Sequence, residues 1–80
     1  MSKKKLLKIL QDFFNADRRE QQQRVRQIKK VLKKLKVKEV KLKEKMELCD
    51  DVDKMTALQQ ELDIIYAQRM KGIKIIKGIK

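Results

Sequence analysis

The chain has no proline, no histidine and no tryptophan, and its 80 residues include only two glycines, Gly72 and Gly78. With so few breakers, long helices meet no obstacle, and a turn-rich β architecture lacks its turn residues. The absence of histidine removes the commonest metal ligand and the usual general base near neutral pH. There is no glycine-rich phosphate loop, and no Ser or Cys stands beside a base. The sequence therefore points away from an enzyme, and no cofactor, metal or small-molecule substrate is expected. Asp50, Asp51 and Asp53 lack the glycine turn and twelve-residue spacing of a calcium loop, and read as helix caps. The single cysteine, Cys49, cannot form an internal disulfide, so nothing calls for an oxidising compartment. Its position among apolar residues reads as a buried structural thiol. No stretch approaches the ~20 apolar residues of a bilayer span. In the opening MSKKKLLKILQDFF, Lys8 and Gln11 interrupt the apolar run that a secretion signal needs. A cytoplasmic protein is expected.

Charge is abundant and unevenly placed. Residues 24–45 carry eleven basic and two acidic side chains, and residues 46–70 carry two basic and six acidic ones. Residues 71–80 add four lysines, and the formal net charge of the chain is +12. A basic block is thus followed by an acidic block and a basic tail.

The basic block is also periodic. Val25, Ile28, Leu32, Leu35, Leu42, Met46 and Cys49, with Glu39 in the missing slot, are spaced alternately three and four apart. This is a heptad seam over more than three heptads, the signature of a helix packed against another helix. The alternation in LKVKEVKL invites a strand reading, but it slips register at Glu39–Val40 while the heptad runs through. Asp17 followed by Glu20 resembles a capping box and starts this helix. Ahead of it, residues 3–14 place Leu6, Leu7, Ile9, Leu10, Phe13 and Phe14 on a broad apolar face. Beyond it, Val52, Met55, Leu58, Leu62, Ile65 and Met70 form a third stripe, with Asp50 and Asp53 as its start signal and Gly72 as a C-terminal stop. The competing reading is one unbroken helix carrying a stammer. The paired aspartates at the phase change favour a break.

The expected fold is all-α: an antiparallel helical hairpin with a long central helix plus a short N-terminal helix, a small three-helix arrangement open to dimerisation. The helices are placed at about 3–14, 17–49 and 52–71, in one domain over 1–71. At about 1.5 Å per residue, the two shorter helices laid end to end match the central one. Residues 72–80, an Ile/Lys tail, are expected to be flexible.

Two binding classes follow. The first is helix-mediated protein association, with the chain itself as a homodimer or with another protein. It rests on the seam, on the complementary charge blocks, and on a spare face of Val37, Val40 and Leu48. The second is sequence-neutral nucleic-acid binding, with Arg18, Arg19, Arg24, Arg26, Lys29, Lys30, Lys33 and Lys34 as phosphate contacts. Lysine outnumbers arginine and no aromatic interleaves with it, so backbone holding is expected rather than base reading. Peripheral membrane contact through the N-terminal helix and the tail ranks below both.

Overall fold

The three apolar periodicities become three helices: α1 (Lys3–Asn15), α2 (Arg18–Glu47) and α3 (Val52–Gly78). The structure is a computed structural model and describes residues 3 to 79. Met1, Ser2 and Lys80, the last residue of the expected tail, lie outside the described residues. No strand occurs among the described residues, and the segment 35–42 is helical throughout.

The caps explain where the helices start. Asp17 is extended, and its carboxylate accepts from the Glu20 backbone N–H at 2.8 Å. The Glu20 side chain is held in turn by Arg24 at 2.6 Å, one turn further on. The chain does break between α2 and α3, but the cap is Asp51 rather than Asp50. Its side chain accepts from the Asp53 backbone N–H at 2.9 Å. The shift by one residue follows from the end of α2. The Cys49 N–H closes back onto the Met46 carbonyl and the Cys49 thiol reaches the Asp51 carbonyl, which consumes residues 48–50 in the turn.

The C-terminal end departs from expectation. Gly72 does not stop α3, and the segment expected as a flexible tail supplies its last two turns. Gly72 is buried within the helix where all three helices meet. A β-carbon there would lie 3.1 Å from Leu32 Cδ2 and 3.4 Å from Leu10 Cδ2. The missing side chain lets α3 approach α2 and α1 closely, and that packing outweighs the weak helix propensity of glycine. Ile73, Ile75, Ile76 and Ile79 then pack half-buried against the core. Arg18 closes the end by donating to the Gly78 carbonyl at 2.7 Å, a cation on the negative pole of α3.

This extra length changes the arrangement of the helices. α3 runs antiparallel to α2 along nearly its whole length, and α1 lies beside α3 rather than end to end with it. At one end of α1, Lys3 pairs with Glu61. At the other, the Lys71 ammonium sits 4.7 Å from the centre of the Phe14 ring. The core is built from Leu6, Leu10 and Phe13 of α1, Ile28, Val31, Leu32, Leu35 and Leu42 of α2, and Leu62 and Ile65 of α3. Val31 lies off the heptad seam. It is buried because α2 contacts two helices, so its apolar stripe must be wider than a two-helix seam. The molecule is a rod of 47 × 21 × 17 Å.

Candidate association surface and basic face

α1 is the short element, and its length decides what is left uncovered. Its 13 residues span about 20 Å, against about 45 Å for α2. It lies against the seam around Ile28–Leu42 and Leu62–Gly72, and ends at Lys3 beside Glu61. From there to the turn, α2 and α3 continue as a two-helix arm with no third helix beside them among the described residues. The expected packing seam is therefore divided. Ile28, Leu32, Leu35, Leu42, Leu62 and Ile65 are buried, whereas Val25, Met46, Cys49 and Leu58 are only half-buried. Val52 is 76% exposed and Met55 39% exposed. The seam pattern runs on into the arm, but the third helix that would bury it does not.

Both sides of the arm are hollow. On the α1 side, a hollow of about 370 Å³ is lined by Lys45, Cys49, Lys54, Ala57, Leu58 and Glu61. It continues, through the shared Lys45 and Glu61, into a smaller one at the N-terminal end of α1, lined also by Lys3 and Lys38. On the other side, Met46, Val52, Met55, Thr56, Gln59 and Gln60 line a second hollow of about 330 Å³. Cys49 therefore lines a groove and is not the buried core cysteine expected from the seam. Leu48 belongs to the turn and not to a helix face; it is 86% exposed.

The missing slot of the heptad holds a buried charge. Glu39 is 1% exposed, and its carboxylate accepts from Arg69 Nε at 2.9 Å. Lys36 lies 3.8 Å from the other oxygen. The polarity of this pair is opposite to the blocks. Glu39 is an acid of the basic block, and Arg69 is a cation of the acidic one. The pair that joins α3 to α2 thus spends an acid of the basic block and a cation of the acidic one. The sequence signal for it was present: a carboxylate in a seam needs a cation across from it. The acidic block offers Lys54 and Arg69, and Arg69 alone continues the Leu62–Ile65 stripe.

The outer surface of α2 carries exposed Arg19, Arg26, Lys29, Lys30, Lys33 and Lys34; Lys36 and Lys41 are exposed at its edges, Lys36 reaching back to Glu39 and Lys41 bordering the hollow beside Lys3. Val37 and Val40, 53% and 44% exposed, sit among them. Among the expected phosphate contacts, Arg18 is engaged with the Gly78 carbonyl and Arg24 with Glu20. Among the described residues no cluster of side chains could hold a metal ion. Among those residues no helix is long and apolar enough to cross a membrane. Comparison with family models, with curated proteins and with solved structures finds no match for this chain.

Proposed function

We infer that this protein is a non-enzymatic association module that takes up partner helices along its open arm. The observation that carries the reading is that the apolar seam outruns α1. Met46, Val52, Met55 and Leu58 continue the core pattern past the last residue that α1 covers. An exposed, contiguous apolar face of this kind is the usual mark of a surface completed by another chain. A second copy is the simplest occupant. The arm is a helix pair with a hollow on each side, and a helix pair closes on an identical one as a four-helix arrangement with two-fold symmetry. A partner presenting a similar amphipathic helix serves equally well. A cytoplasmic setting accompanies this reading, since Cys49 needs no oxidising compartment.

Sedimentation at micromolar concentration tests the idea. The wild-type chain is expected as a dimer or as a complex with a helical partner. Val52→Glu together with Met55→Glu should abolish either state while leaving the melting temperature of the monomer nearly unchanged, because both side chains are exposed. A chain that remains monomeric, and whose retrieval of partners from cell extract is indifferent to the double substitution, would remove the reading.

A further inference from the structure

We propose that the outer face of α2 binds double-stranded nucleic acid through its phosphate backbone, without reading sequence. This rests on residues other than those of the arm and stands independently of association. The first support is the fate of the charges. Internal neutralisation is the ordinary explanation for adjoining basic and acidic blocks, and the buried pair between α2 and α3 runs opposite to it. The buried contact joining the blocks is Glu39–Arg69, which spends an acid of the basic block, while Arg19, Arg26, Lys30 and Lys33 stay exposed.

The second support is geometric. Arg19, Arg26, Lys30, Lys33 and Lys41 fall on one stripe of a single continuous helix. From Arg19 to Lys41 the stripe runs about 33 Å, which is the rise of about ten base pairs at 3.4 Å each. Ten base pairs are about one helical turn, so cations along the stripe meet phosphates where the two winding backbones pass it, on either side of a groove. The face carries no aromatic side chain, so unstacked bases of a single strand find no platform. It carries mostly lysine, a point charge without a fork, so base edges are not discriminated. An anionic membrane is less well matched. Val37 and Val40 are the apolar residues on this face, and the isoleucines of the C-terminal end, which could have entered a bilayer, pack half-buried against the core.

Binding of short DNA and RNA duplexes of unrelated sequence, followed by fluorescence anisotropy, tests the proposal. Equal affinity across sequences is expected. With four to five phosphates neutralised, raising monovalent salt from about 50 to 200 mM should weaken binding by about 150- to 500-fold. Lys30→Glu with Lys33→Glu should weaken binding at least tenfold at low salt. Lys4→Glu with Lys8→Glu, exposed residues off this face with the same change in net charge, should weaken it far less. Equal losses for the two pairs, absence of binding at low salt, or binding that resists salt would each overturn the proposal. So would tighter binding to a single strand of the same length, or binding to phosphatidylserine vesicles without binding to duplexes. Circular dichroism melts of the variants separate loss of binding from loss of fold.

Discussion

Replacing the two members of the Glu39–Arg69 pair singly and together should give three different stabilities. The reason is the unequal burial of the partners. The Glu39 side chain is 2% exposed and that of Arg69 13% exposed. Arg69→Leu leaves a carboxylate inside the seam with only Lys36, at 3.8 Å and half in solvent, to oppose it. Breaking a buried pair from one side costs about 3–5 kcal/mol, because a buried charge is left uncompensated. For a chain of this size that corresponds to a fall in melting temperature of roughly 12–40 °C, at 4–8 °C per kcal/mol. Glu39→Leu should cost less. It places an apolar side chain in an apolar seam, and the long Arg69 side chain lies near enough to the surface to carry its guanidinium into water. The double variant Glu39→Leu/Arg69→Leu should recover most or all of the loss, since buried pairs exchanged for apolar groups are often neutral or stabilising. Thermal melts by circular dichroism, with the coupling taken from the double-mutant cycle, measure all three. An Arg69→Leu protein as stable as the wild type, or a double variant no better than Arg69→Leu, would refute this account of the seam.

Gly72 and Gly78 should respond oppositely to added side chains. Gly72→Leu must displace Leu32 and Leu10 and should cost about 1–3 kcal/mol by overpacking, whereas Gly78→Ala meets open space and should be neutral or gain up to about 1 kcal/mol. Melts that shift the same way for both would contradict the role assigned to Gly72. The caps should act separately. Asp17→Ala and Asp51→Ala should each cost about 1 kcal/mol, adding when combined because they lie in different turns of the chain; a non-additive pair would show that the two helix starts are coupled. Hydrogen exchange should divide the rod lengthwise. Backbone amides of residues 52–60 should exchange well before those of 28–35 and 62–69, because the arm has few buried apolar contacts to lose on local opening. Uniform protection of α3 in a monomer would count against an uncovered arm.

The parts of this fold set by local chemistry were legible in the sequence. The α2 seam reads directly from its three-and-four spacing, and the helix starts read from Asp17 and from the aspartates after Cys49. The parts set by which helix lies across were not. KGIKIIKGIK looks like a weak terminus because local reasoning counts two glycines against the helix. In the structure the first of them is what allows the segment to pack, since the close approach to Leu32 and Leu10 exists only once three helices are assembled. Val31 was missed for the same reason: it belongs to a stripe two neighbours wide. The seam from Met46 to Leu58 has the pattern of the seam from Ile28 to Leu42, so no periodicity distinguishes buried from open. That difference lies in how far α1, described from Lys3, reaches along the other two helices. The basic candidates were legible as charge, but the removal of Arg18 and Arg24 into caps and pairs depended on the neighbours they met.

The buried pair also bears on why the hairpin has one register. Leucine, isoleucine and methionine repeat along both helices, and a slide of α3 by one heptad would still bring apolar residues to apolar residues. Such a slide would place Leu62 or Ile76 opposite Glu39 instead of Arg69, stranding a carboxylate and a guanidinium in the seam at once. The native register avoids that cost, while the slid registers do not, so the pair separates them by more than it stabilises the one. The double variant with leucine at both positions examines this directly: a single set of side-chain resonances in its spectra would mean that apolar matching and the caps suffice to fix the hairpin. Register matters for both surfaces proposed above. It sets where α3 ends against Arg18, where Gly72 meets α1, and hence how far the arm projects beyond the last residue that α1 can cover.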